Sequence, residues 1–153
     1  MTPQYIEITE CGTKYYYKDK AMSSFHREDG PAVEYPNGYK AWYLNNELHR
    51  EDGPAIEWPN GSKDWYLNGH IHREDGPACE WKNGSKFWFI NGKRHREDGP
   101  AVEYADGDKQ WWLEGREYTE ENFKKKTAKE IVLTMDEIAG KLGIDVSKLK
   151  IAK

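Results

Sequence analysis

Between residues 26 and 117, short runs of Tyr, Trp, Phe, Val and Ile alternate with Lys and Glu, and Asn-Gly or Asp-Gly pairs interrupt them. Runs of this length and composition read as strands. The pattern also restarts at a fixed interval. His26–Leu48 (HREDGPAVEYPNGYKAWYLNNEL) recurs as His49–Ile71, His72–Arg94 and His95–Glu117, four copies at an unbroken period of 23 residues. Eleven columns are identical in all copies: HREDGPA, a Glu two residues later, a Gly, a Lys and a Trp. Such units bury their apolar faces mainly against their neighbours. A degenerate half-copy precedes them, where Gly12, Lys14, Tyr16 and Tyr17 match Gly38, Lys40, Trp42 and Tyr43. Residues 1–25 therefore read as an N-terminal cap, 26–117 as four repeats and 118–153 as a separate C-terminal segment.

Each unit carries two turn signals, the first at 37–38, 60–61, 83–84 and 106–107, the second at 45–46, 68–69, 91–92 and 114–115. Read as two-residue type I′ turns, they give an antiparallel meander with two strands per unit. The fold class is mainly β: a curved, solenoid-like single sheet of tandem hairpin repeats, with a small α or α/β cap at the C-terminus. In that register Trp58 faces Lys63, Ile56 faces Trp65, and Leu67 faces His70. One face then carries Ile56, Trp58, Lys63, Trp65, Leu67, His72 and Glu74, with Lys63 able to pair with Glu74, and is taken as the core. The other carries Ala55, Glu57, Asp64, Tyr66 and Arg73. A longer loop at either turn would exchange the two faces. The Asp-Gly-Pro-Ala step should bend the sheet once per unit, because Pro cannot donate to the ladder.

From Tyr118 the repeat gives way to helix formers. Thr119-Glu-Glu-Asn opens a short helix to about Lys126, Ile131 and Leu133 alternate as a strand does, and Thr134-Met-Asp-Glu starts a second, capped helix carrying Met135, Ile138, Ala139 and Leu142. TMDEIAGKLGIDVSKLKI is similar to the first two helices of a helix-turn-helix, without a recognition helix. The simpler expectation is a cap over the open sheet end.

Composition sharpens this picture. Seven Trp, ten Tyr and four Phe mean that large flat side chains carry most of the burial. Residues 26–117 hold twelve Lys and Arg against eighteen Asp and Glu, whereas 118–153 hold eight against six. An acidic body argues against nucleic-acid binding. There is no apolar run of membrane-spanning length and no signal-peptide pattern, so the expected location is cytoplasmic. Cys79 shares a column with Val33, Ile56 and Val102 and reads as a core thiol; Cys11 has no evident partner.

The stretch NGKRHREDGPAVEYADGDKQWW resembles the MORN repeat, a hairpin-per-repeat unit of similar length, over roughly residues 5–117. The variant with HREDGPA is similar to MORN-like repeat proteins of phages and prophages, and the resemblance implies host cytoplasm as the location of a phage-encoded chain. The resemblance implies binding or scaffolding and no reaction.

The four His-Arg-Glu-Asp runs invite a metal or catalytic reading. Copies on successive units form a ladder about 9–10 Å apart, which cannot converge on one ion. His49, His72 and His95, with Trp42, Trp65, Trp88 and Trp111, therefore read as repeat core, with His stacked on Trp and Asp bonded at the Gly-Pro corner. No metal, cofactor or catalytic residue is expected. Variable columns point elsewhere: Phe87, Phe89 and Trp112 would cluster on the second face, beside Tyr66, Arg73 and Arg96, as a partner-binding patch. The expected function is a non-enzymatic interaction module binding a host or bacterial protein, as a counter-defence inhibitor by analogy. The alternative is an aromatic-ladder binder of a carbohydrate, nucleotide or quaternary amine. Open sheet ends also allow a homodimer.

Overall fold

The structure, a computed structural model, describes residues 5–128. The chain divides into two compact units, Met1–Glu117 and Tyr118–Lys153. The first is mainly β, an open antiparallel meander. Each of the first three repeats holds two hairpins instead of one. The first hairpin of a repeat, for example Ile56–Glu57 with Lys63–Asp64, belongs to a continuous sheet of eleven strands. The second, Tyr66–Leu67 with His70–Ile71, is a two-stranded ribbon. The expected two strands per unit are thus broken into four.

The break falls at the repeat Trp. Trp42, Trp65 and Trp88 donate their backbone N–H to Ala55, Ala78 and Ala101 of the following repeat, each at 2.8 Å. Their carbonyls accept from His49, His72 and His95 at 3.0–3.1 Å, inside their own ribbons. One residue thus serves two ladders, and the chain must corner there. Trp111 has no following repeat to donate to, and its strand runs unbroken as Lys109–Leu113. Before the first repeat, Tyr5–Ile8 pairs with Lys14–Tyr17, and that strand pairs with Val33–Glu34.

The second turn has the expected form. Asn68 and Gly69 both take positive φ (49° and 74°), and Leu67 faces His70. The first turn does not, and this exchanges the faces. Only Gly61 has positive φ (90°), Gly61 N–H bonds Trp58 O at 2.9 Å, and Trp58 N–H bonds Ser62 O at 3.0 Å. This is a three-residue type I loop closed by a G1 bulge. Asn60 Oδ1 accepts the Ser62 N–H at 2.8 Å and holds the loop. Ile56 therefore faces Asp64, and Glu57 faces Lys63. The row running across the sheet is Val33, Ala41, Ile56, Asp64, Cys79, Phe87, Val102 and Gln110. It is the core, where the two-residue turn had placed its Ala41, Asp64, Phe87 and Gln110 column on the second face. The core is split in two. Val33, Ala41 and Ile56 form one cluster, and Cys79, Phe87 and Val102 form the other. Asp64 is the polar residue between them.

In the second unit, residues 120–128 form the expected helix. Thr119 caps it, its Oγ1 accepting the Asn122 N–H at 3.3 Å, and Glu120–Lys124 and Glu121–Lys125 pair along it. The strand expected at Ile131 and Leu133 and the capped helix carrying Met135, Ile138 and Leu142 lie outside the described residues.

Candidate binding surface

The HREDGPA run accounts for its own constancy. Arg50 lays its guanidinium over the Trp42 ring at 4.1 Å. Its Nε donates to Asp52 at 2.8 Å, and its Nη1 donates to Pro54 O and Glu57 Oε1, both at 3.2 Å. Arg73 repeats this over Trp65, Arg96 over Trp88, and Arg27 over Tyr16, which stands in for Trp in the cap. Gly53 lies directly under the guanidinium, where a Cβ would come within 2.9 Å of Arg50 Cζ. Arg, Asp, Gly, Pro, Glu and Trp are thus parts of one clasp per joint. The expected stacking of His on Trp is corrected: Arg occupies that ring face. His49, His72 and His95 bridge ribbons instead, each Nδ1 accepting a backbone N–H from the second turn, of Asn68, Asn91 and Glu114, at 3.1–3.2 Å. Trp111 lies half-buried in the unbroken strand Lys109–Leu113. Among the described residues no group of three or more His, Cys, Asp or Glu could hold a metal ion.

The clasp has a pH signature. Hydrogen bonds from Arg50 and Arg73, then their charges, hold Asp52 and Asp75 below the usual carboxylate range, and the Arg96 hydrogen bond does the same for Asp98. A depressed native value means stability that is present above the ordinary aspartate range and lost as pH falls through the native one. The melting temperature should therefore fall as pH drops below about 4, the ordinary aspartate range, all clasps weakening together. A melting temperature that rises over that drop would contradict the pairing.

The aromatic patch expected on the second face is also corrected. Phe87 is buried at 5% exposure, and Phe89 and Trp112 pack half-buried against its cluster. Tyr66 packs against the Val33–Ile56 cluster. Arg73 and Arg96 are committed to their Trp rings. Cys79 is buried as expected, and burial, then the Asp64 charge, pushes its thiol up. Cys11 is exposed, and hydrogen bonds with the Thr13 and Thr9 hydroxyls lower its thiol to about 7.

Exposed aromatics lie at the mouth of the first turn instead. Tyr35, Trp58 and Trp81 occupy one repeat column and are 41%, 42% and 48% exposed. Tyr104 continues the column, half-buried. Each begins a Gly-bulge turn whose Asn or Asp side chain bonds the N–H two residues on, so the column stands on four rigid loops. Between Trp58 and Trp81 the surface opens into a cleft of about 700 Å³, lined also by Asn60, Ser62, Asp64, Lys82 and Asn83. Sequence reasoning missed this column because Trp58, two residues from Ile56 on the same face, was read as core, whereas it stands at the turn beyond the buried row. Fold and surface together define an open tandem-repeat β-hairpin protein. No protein-family model matches the chain, and no curated protein matches it.

Proposed function

We propose that the protein is a non-enzymatic interaction module that presents the Tyr35–Trp58–Trp81 column to a protein partner. The exposed column supports this reading: three large aromatics on fixed loops are costly to leave in water, and aromatic anchors carry most of the energy of protein interfaces. The repeat clasps hold the loops at a constant spacing, so little ordering entropy remains to be lost on binding. The resemblance to phage and prophage repeat proteins adds a bacterial host protein, and inhibition of host defence, to the proposal. No helix among the described residues is long and apolar enough to cross a membrane.

The test is capture of a partner from bacterial lysate by the wild type and by the Trp58→Gln/Trp81→Gln variant. The amide introduced by Trp58→Gln retains an N–H donor for Asp64, so each change should cost only about 1 kcal/mol of stability, as for other half-exposed side chains. The expected result is loss of capture from a folded variant. Equal capture by both proteins would remove the column from the interface.

A further inference from the structure

The spaces between successive first-turn aromatics are equivalent by repetition, yet they are filled differently. Between Tyr35 and Trp58 stands Tyr39, with ring centroids 5.1 and 5.2 Å from its two neighbours. Between Trp81 and Tyr104 stands Phe87, at 4.5 and 5.7 Å. Between Trp58 and Trp81 the corresponding residues are Ser62, in the Tyr39 column, and Asp64, in the Phe87 column. Neither fills the space, and this is why the cleft lies there.

Asp64 is 8% exposed. Its Oδ2 accepts the Trp58 indole N–H at 2.7 Å, and its Oδ1 is buried without a partner at full hydrogen-bond geometry. The Cys79 thiol across the ladder bonds this carboxylate, but a thiol is a weak donor and brings no counter-charge. No cation pairs with this carboxylate among the described residues. A buried carboxylate without a counter-charge is costly and is expected to have one in its working state. The cleft thus offers two exposed indoles and one uncompensated carboxylate. Trp58 and Trp81 begin the turns of strands two apart in the sheet, about 9.5 Å in backbone spacing. In backbone spacing a group at the midpoint lies about 5 Å from either strand, comparable to the ~6 Å reach over which an aromatic ring attracts a cation. Lys82 stands at the rim, its backbone N–H bonded to Ser62 Oγ at 2.9 Å.

We propose that the cleft between Trp58 and Trp81 binds an organic ammonium group, with Asp64 as its counter-charge. The inference rests on the aromatic column being the binding face, and it adds the chemistry recognised there. The ammonium is carried either by a free small molecule or by a side chain of the partner.

The decisive pair of variants comes from the repeat itself. Ser62→Tyr together with Lys82→Pro rebuilds the filled joint of Tyr39 and Pro59, and Pro removes the N–H that Ser62 now satisfies. Asp64→Asn retains the shape and the acceptor for Trp58. Titration calorimetry of the wild type should show binding of choline and tetramethylammonium, with Kd of about 1 mM or lower, and none of glucose. Asp64→Asn should weaken choline at least about tenfold. The double variant should abolish binding with its melting temperature unchanged or raised. A trimethyl-lysine peptide that binds more tightly than choline places the ammonium on a protein; choline at equal or higher affinity places it on a small molecule. No choline or trimethyl-lysine binding, glucose binding alone, or choline binding unaffected by both variants would overturn the site. If lysate capture through the column persists in those cases, only the ammonium chemistry fails and the interaction surface stands.

Discussion

Trp65→Ala is expected to destabilise the protein by about 3 kcal/mol in urea denaturation, the low end for truncating a core aromatic because the ring is half-buried. Two terms add. The first is the apolar area that the indole removes from water. The second is the platform it provides for Arg73, whose guanidinium centre lies 4.1 Å from the ring centroid. The backbone corner at residue 65 uses only its N–H and C=O, which Ala retains, so the loss should come from the side chain alone. Because this residue joins two repeats in mid-array, unfolding should remain one transition. A loss below about 1 kcal/mol would show that the ring contributes little to the joint.

Arg73→Met should cost about 2–3 kcal/mol in the same measurement. Met retains much of the apolar stem over Trp65 but cannot donate to Pro77 O at 3.2 Å or to Glu80 Oε1 at 2.9 Å. Those two acceptors are part-buried, and stranding such groups is the expensive part of the change. The bond to Asp75 adds little, because that carboxylate is largely in water. Since Trp65 and Arg73 touch, the double variant should lose about 0.5–1 kcal/mol less than the two single losses together. Strict additivity would mean that the stacked geometry is not what holds the joint.

Several features could be read from residues alone because they depend on local chemistry. The period of 23 residues, the cap built on Tyr16 and Tyr17, and the helix opening after Thr119 are of this kind. The second turn is too: Asn68-Gly69 accepts two successive positive φ angles, and its register followed. The first turn carried its own signal, which the Asn-Gly pair masked. Trp58-Pro59-Asn60-Gly61 has Pro where a type I turn prefers it and Gly where the bulge needs positive φ. Pro59, lacking an N–H, also suits a loop position better than a paired one.

The single extra loop residue shifted the second strand of the sheet hairpin against the first, so that its side chains changed faces while Ile56 and Cys79 stayed in the core, since side chains alternate with period two. That is why Phe87 became core and why Asp64 came to interrupt the apolar row; Trp58 and Trp81, two residues beyond Ile56 and Cys79, are exposed because they stand at the turn, past the buried row. Residue order alone dictated the repeat, the strand content and the residues that must recur at every joint, because each joint repeats one local problem. What those residues do follows from packing between units. Arg takes the Trp face because the bend at Gly brings it there, and the strand breaks where the Trp N–H is claimed by the next repeat. A cleft opens where neither Ser62 nor Asp64 reaches across the space that Tyr39 and Phe87 fill elsewhere.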